Sequence, residues 1–319
     1  MGGTRDTEHI YDAIVVGGGP AGYSAAIYAA RASLDTLVVE QGMAGGQIAT
    51  SDVIENYPGI PSIGGAELGQ RMLDHAEACG ARSAYGMVER LARMDDGTFF
   101  LQTDSGSYAS RAVVMATGAK PRMAGFSGEQ RFRGRGVSYC ATCDAMFYRG
   151  KKVFVVGGGA SAVEEARFLA NVASDVVMVV RRDRFRAPRG MVDKLLTNDK
   201  ITVRYQTSIV GLEGETLPER ISFRDNATGS ISIEEFEPGS FGIFVFAGND
   251  PVVDLVKPFV DLSEDGGVLT DDRMATRTPG LFCAGDMRSK ALRQVVTAAS
   301  DGAIAGDAAY RYVEDRFRA

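Results

Sequence analysis

The stretch Tyr11-Asp12-Ala13-Ile14-Val15-Val16-Gly17-Gly18-Gly19-Pro20-Ala21-Gly22 decides the fold. Residues 11–16 are a short apolar run rich in β-branched side chains, as a strand buried on both faces requires. Three glycines follow in the pattern GxGxxG, and residues 21–32 are helix formers. The order is strand, turn, helix. The three glycines do different things. Gly17 permits the tight turn, Gly19 lets backbone N–H groups approach a pyrophosphate, and Gly22 lets helix and strand pack closely. The helix N-terminus then faces the phosphates. Residues 36–39 (TLVV) read as the next strand, and Glu40 stands 18 residues after Gly22, about where a carboxylate meets a ribose hydroxyl. A bare glycine turn would need neither the flanking strand and helix nor this acid, so the unit reads as a dinucleotide site.

The pattern recurs 140 positions later. Residues 152–156 (KVFVV) lead into Gly157-Gly158-Gly159-Ala160-Ser161-Ala162, a helix through about Ala170, and a strand over 175–180 (DVVMVV). A whole supersecondary unit is repeated. The ends of the two units differ in charge. Where the first has Glu40, the second runs into Arg181-Arg182, with Arg184 and Arg186 close behind. Guanidinium groups bind a 2′-phosphate in a bidentate way and a carboxylate repels it, so the second site should prefer NADPH to NADH. The alternative is a solvated arginine face, which does not explain four arginines falling where that phosphate would lie.

Four cysteines stand at 79, 140, 143 and 283, too few for a disulfide scaffold in 319 residues. Cys140-Ala141-Thr142-Cys143-Asp144 just precedes the second fingerprint, and a CxxC in a reducing compartment points to redox cycling or metal. Structural zinc wants four Cys or His ligands. The chain has only two histidines, His9 and His75, so no metal is expected, although His75 and Cys79 are spaced to share a helix face. Cys79 and Cys283 read as small buried apolar residues.

The length suggests two domains, and 45% hydrophobic residues can fill their cores. A net charge of −6 disfavours nucleic acid as a partner. Residues 1–10 are polar with no apolar leader segment, and nothing approaches the roughly 18 apolar residues of a membrane span. A cytoplasmic protein without a membrane partner is expected. Further strands should end beside a ligand where residues 113–115 meet Ala116-Thr117-Gly118-Ala119 and where 281–284 meet Gly285-Asp286. Residues 244–247, running into Gly248-Asn249-Asp250-Pro251, should mark a return crossing between domains.

Together these residues resemble the low-molecular-weight thioredoxin reductases, the prokaryotic-type flavoprotein disulfide reductases, over almost the full chain. The resemblance is carried by GGGPAG at 17–22, GGQ at 45–47, ENYPG at 55–59, ATGA at 116–119, RGVSYCATCD at 135–144, GGGASAVEE at 157–165, RRDRFR at 181–186, AGD at 284–286 and RQ at 293–294. The CxxC before the second fingerprint sets this subfamily apart from reductases that carry their cysteines near the N-terminus.

The resemblance implies an α/β fold of two Rossmann-like, three-layer dinucleotide-binding domains. An FAD domain, discontinuous over 1–120 and 248–319, would hold an inserted NADPH domain, 121–247, bearing the CxxC. FAD would take Gly17, Gly19, Pro20, Ala21 and Gly22, with Glu40 on its ribose. Gly45, Gly46, Gln47, Asn56, Thr117 and Gly118 would lie near it, and Gly285, Asp286, Arg293 and Gln294 would close over it. NADPH would take Gly157, Gly159, Ala160 and Ser161 with Arg181, Arg182 and Arg186. Cys143 would face the flavin, Cys140 would attack the substrate disulfide, and Asp144 would handle the proton, its alternative being a cap or turn residue. A thioredoxin-like substrate, a homodimer, and rotation about hinges near 120–125 and 247–251 are also implied.

Three positions depart from the family's habit: Val180 stands where a His precedes the Arg pair, Ala145-Met146-Phe147 keeps one of two aromatics, and Leu292 replaces a Tyr. Rival readings are a same-scaffold reductase fed by ferredoxin or deazaflavin, a small-molecule dithiol oxidase, and a flavin-bearing redox sensor. The retained arginines and glycines oppose the first, and Asp144 opposes the last.

Overall fold

The structure, a computed structural model, describes residues 9–51 and 53–318; most of the polar N-terminal stretch read above lies outside them. The chain divides into two compact units, Met1–Lys120 with Asp250–Ala319, and Pro121–Asn249. Residues 248 and 249 thus belong with the second unit and not with the first, held there by the Arg122 N–H donating to the Gly248 carbonyl at 2.8 Å.

The first unit begins with β1 (Ile10–Val16), α1 (Pro20–Arg31), β2 (Thr36–Glu40), α2 (Gly65–Ala78), β3 (Arg82–Tyr85), β4 (Val88–Arg93), β5 (Phe99–Thr103) and β6 (Ser107–Met115). The chain continues through β7 (Ala119–Pro121) into the second unit: β8 (Val137–Ser138), α3 (Ala141–Asp144), β9 (Lys152–Val156), α4 (Ala160–Ala170), β10 (Asp175–Val179), α5 (Arg189–Leu196) and β11 (Ile201–Arg204), then β12 (Thr207–Glu213), β13 (Arg220–Asp225), β14 (Ile231–Glu235) and β15 (Phe241–Val245). It returns through β16 (Asn249–Pro251) to β17 (Leu281–Cys283) and α6 (Val295–Val313).

In the first unit the sheet order is β3-β2-β1-β6-β5-β4, with β17 also on β6. Strand β1 is buried on both faces because its side chains alternate between two cores. Ala13 and Val15 pack with α1 and α6, while Ile14 and Val16 pack with Phe99, Leu101 and the 253–268 segment. The parallel registers Val16↔Val39, Val16↔Met115 and Cys283↔Met115 bring four strand ends to one edge. Gly17, Glu40, Ala116 and Ala284 therefore leave the sheet side by side, at the carboxyl edge where open α/β sheets bind ligands.

The second unit repeats the device. Its five-stranded sheet, β11-β10-β9-β15-β8, is parallel throughout. Val153, Val155, Val176 and Met178 face α4 and α5, and Phe154, Val177 and Val179 face a three-stranded antiparallel sheet, β12-β13-β14. The registers Val156↔Val179, Val156↔Val245 and Phe244↔Ser138 align the carboxyl ends again, so the CxxC departs from the same edge as Gly157.

Helices α1 and α6 approach closely along a seam of small residues. A Cβ on Gly302 would lie 2.0 Å from the Ala21 carbonyl oxygen, and one on Gly306 would lie 2.4 Å from that of Ala25. The contact is backbone on backbone and cannot yield by rotating a side chain. Gly302→Ala is therefore expected to cost about 3 kcal/mol in urea unfolding. Gly190→Ala, in α5 with nothing within 4 Å of the added carbon, should be neutral or slightly stabilising, and equal effects at the two sites would refute the seam.

Candidate functional site

The first fingerprint shows three glycines constrained in three ways. Gly17 has φ +106°, and a Cβ there would stand 2.5 Å from the Ala116 carbonyl oxygen. At Gly22 it would stand 1.8 Å from the Gly17 oxygen, so the helix can sit on the strand end only through glycine. Gly19 begins α1 without any side-chain cap, and a Cβ there would meet only the Gly45 oxygen, at 3.7 Å. That leaves an open cradle in front of unsatisfied N–H groups, the requirement for a phosphate.

Glu40 closes one side: its carboxylate accepts from the Gly18 N–H and, at 2.6 Å, from the Gly42 N–H. Gly45 donates to the Gly18 carbonyl at 2.8 Å, and the Gln47 amide donates to the Ala119 carbonyl. Gly45 and Gly46 both have positive φ, +98° and +58°. The Thr117 hydroxyl donates to the Val252 carbonyl at 2.7 Å, Gly118 has φ +71°, and the Asn56 amide donates to Gln294 at 3.0 Å. Gly17, Gly18, Glu40 and Gly45 are thus tied together at one sheet edge, and Asn56 and Gln294 are tied to each other.

The Gly285-Asp286 turn is held by a network that sequence reading missed. One Asp301 oxygen accepts from the Gly285 N–H at 3.1 Å, from Lys290 at 2.7 Å and from Arg288 at 2.9 Å, all largely buried. Nothing in the sequence marks Asp301, one of two aspartates in α6. Asp286 beside it has a buried Oδ1 with no hydrogen-bond partner. Burial raises the pKa of Asp286, and Lys290 and Arg293 only partly offset it. An orphaned buried carboxylate oxygen calls for a donor from outside the chain, so this edge fits a polyhydroxylated cofactor.

The second fingerprint carries the same constraints. Gly157 has φ +151° and lies where a Cβ would be 2.6 Å from the Phe246 oxygen; Gly159 starts α4 without a side-chain cap, in open space apart from Arg186 Nη2 at 3.9 Å. Ala160 and Ser161 form the first turn of α4, and buried Ala162 replaces the third glycine. The Arg186 N–H donates to the Gly158 carbonyl at 2.7 Å. Arg181, Arg182, Arg184 and Arg186 are all exposed, and none is in an ion pair among the described residues. Val180 does not share that surface. It is 2% exposed and packs in the core under Gly158, so the missing His leaves no apolar gap in the arginine face.

Cys140 and Cys143 form a disulfide with Cα atoms 5.3 Å apart. Cys140 sits at the N-cap of α3, and its sulfur accepts from the Cys143 N–H at 3.2 Å. The Thr142 hydroxyl is 3.4 Å from the same sulfur. Ser138 is the other missed residue. Its hydroxyl donates to Asp144 Oδ2 at 2.6 Å and accepts from the Cys140 N–H at 3.1 Å, joining acid to cysteine. A serine two positions before a CxxC was the available signal. Asp144 makes no side-chain cap on the turn that follows it.

The remaining cysteines differ from each other. Cys283 is fully buried, and burial pushes its thiol up to about 12. Cys79 was expected to be buried too, but it is half-exposed, because it terminates α2 at the surface instead of entering the core. Among the described residues no group of His, Cys, Asp and Glu could hold a metal ion, and no helix is long and apolar enough to cross a membrane.

A family model described as pyridine nucleotide-disulphide oxidoreductase matches residues 11–302, and the chain belongs to that family. It is an oxidoreductase working with a flavin and a pyridine nucleotide. Among particular proteins, it is 43% identical to the thioredoxin reductase of Peptoclostridium litorale over 315 residues, 97% of this chain and 99% of the relative. It is also 43% identical to that of Bacillus subtilis, over 97% of this chain and 96% of the relative. The crystal structure of thioredoxin reductase from Streptococcus pyogenes matches with a TM-score of 0.87 at 40% identity, over 96% and 99% of the two chains.

The cysteine environments give a labelling pattern. Cys283 is sealed in the core, and burial raises its thiol pKa, so it is both inaccessible and protonated at pH 8. Iodoacetamide at that pH should modify Cys79 alone in the oxidised protein and add Cys140 and Cys143 after dithiothreitol. Peptide mapping that found native Cys283 alkylated would contradict the burial.

Proposed function

We propose that this protein is an NADPH-dependent thioredoxin reductase that passes reducing equivalents from NADPH, by way of FAD, to the Cys140–Cys143 disulfide and thence to a thioredoxin-like protein. The observation that carries the reading is the combination in one chain of two parallel strands that each run through a glycine turn into an uncapped helix N-terminus, with a CxxC disulfide on the sheet edge of the second. The full-length likeness to thioredoxin reductases supports the substrate.

The first-unit fingerprint, Glu40, the 45–47 loop and Asn56, with Asp286, Arg293 and Gln294, would hold FAD. The unpartnered Asp286 oxygen would accept from one of its hydroxyls. The second fingerprint with Arg181, Arg182 and Arg186 would hold NADPH. Bound FAD supplies a two-electron relay between nicotinamide and disulfide.

The chain's own chemistry follows from the CxxC. Two electrons and two protons convert the disulfide to two thiols. Cys140 is suited to be the nucleophile, because the Cys143 N–H aimed at its sulfur would stabilise the thiolate. That thiolate attacks one sulfur of the substrate disulfide and releases the other as a thiol; Cys143 then displaces the second and restores the Cys140–Cys143 bond. The departing thiolates need a proton, which Asp144, oriented by Ser138, would deliver. Phe147 and Met146, 52% and 50% exposed just after the CxxC, offer apolar surface to the partner.

The arginine face decides between donors, and its retention favours NADPH over ferredoxin or deazaflavin. Anaerobic addition of NADPH should bleach the flavin band quickly, and NADH far more slowly. Cys140→Ser and Cys143→Ser variants should still be reduced by NADPH but lose thioredoxin turnover by at least ~1,000-fold, since no residual dithiol remains to exchange. A wild-type flavin that neither nucleotide bleaches would overturn the reading.

A further inference from the structure

We propose that Arg224, on β13, and Asn226, in the turn that follows it, complete the second unit's subsite for the 2′-phosphate of the nucleotide. Asn226 acts as a positioning residue for Arg181 and Arg182, and Arg224 adds its guanidinium to theirs in one groove, while Arg186 lies apart beside Gly159. The proposal rests on the NADPH reading and deepens it.

One side-chain amide ties three strand ends together. Asn226 Nδ2 donates to the Arg181 carbonyl and to the Ser208 hydroxyl, each at 2.9 Å, while its Oδ1 accepts from Arg224 Nε at 3.4 Å. The backbone repeats the link on Arg182. The Gln206 N–H donates to the Arg182 carbonyl at 2.9 Å, and the Asn226 N–H donates to the Gln206 carbonyl at 2.6 Å. Gln206 has φ +48°, a left-handed conformation that a non-glycine residue keeps only where its surroundings fix it. Both arginine carbonyls are thereby pinned to the β12–β13 end, which fixes the Cα–Cβ directions of the pair.

Arg181, Arg182 and Arg224 line one groove of about 660 Å³, with Ser208, Asn226 and residues 124–126, and no acidic residue lines it. Strand pairing sets Arg224 opposite Ser208, which directs it to that groove. The adjacent acid, Asp225, is engaged elsewhere. Its carboxylate accepts from the Ala227 and Thr228 N–H groups at 2.8 and 2.9 Å, which hold its pKa below the usual range. Arg224 itself is in no ion pair among the described residues. Three guanidinium groups with polar neighbours and no counter-charge match a dianionic phosphate ester.

The test is calorimetric titration of the flavin-loaded protein with adenosine 2′,5′-bisphosphate and with adenosine 5′-monophosphate, at two salt concentrations. The wild type should bind the bisphosphate at least ~10-fold more tightly than the monophosphate. Asn226→Ala and Arg224→Ala should each weaken the bisphosphate about tenfold and leave the monophosphate unchanged, with Arg224→Ala also flattening the salt dependence. Arg224→Lys should recover part of the loss. Arg224 is exposed, so its variants keep the test decisive even if Asn226→Ala folds poorly. A wild type that does not discriminate overturns the NADPH reading and this proposal with it. A wild type that discriminates, with Arg224→Ala unchanged, overturns this proposal alone.

Discussion

The structure turns on two helices that begin with nothing to cap them. Gly19 and Gly159 stand at the N-caps of α1 and α4 in extended conformation, and neither offers a side-chain oxygen to the first N–H groups. A Ser or Asp there would satisfy one of those groups and contribute about 1 kcal/mol. Forgoing it leaves a partial positive charge and free donors at the sheet's carboxyl edge, which an anion can satisfy. The tight turns before them, through Gly17 and Gly157, are backbone contacts that admit no Cβ. The small-residue seam between α1 and α6, and the aligned strand registers in both units, hold those helix ends in place.

One template thus gives two sites, and the residue that ends the second strand separates them. In the first unit Glu40 ends the second strand as a carboxylate that accepts from its own glycine loop, at Gly18 and Gly42. In the second, exposed arginines bring positive charge to the equivalent place, beside the β12-β13-β14 sheet. The CxxC leaves the edge of that second sheet on β8, beside the glycine turn, with Ser138 connecting the cysteine backbone to Asp144. The placement serves exchange with an external disulfide, since both cysteines are half-exposed while Cys283 is sealed in the other core.

Much of this was legible in the sequence because it depends on local rules. The strand over 152–156 and the end of its helix at Ala170 match the structure to the residue, since β-branched runs and GxGxxA spacing act over short range. The Glu40 and arginine positions follow from counting along a known unit. What stayed hidden is non-local. Asp301 becomes significant only when α6 folds back onto Gly285, and Asn226 only when β13 sets its amide against Arg181. The β12–β14 sheet has a mixed pattern, with Ile231 and Ile233 exposed, and gives a weak periodic signal. Cys79 shows the opposite failure, because a compositional rule about free cysteines ignores where a helix happens to end.

Reducing equivalents from a pyridine nucleotide should arrive at one particular disulfide, Cys140–Cys143. The decisive measurement is anaerobic addition of NADPH to the flavin-loaded protein, a quench in acid, alkylation at pH 8 in denaturant and mass mapping of the peptides. New labels should fall on Cys140 and Cys143 in equal amounts, with Cys79 and Cys283 unchanged from the untreated protein. A flavin reduced by NADPH while the 140–143 peptide stays disulfide-bonded would contradict that transfer.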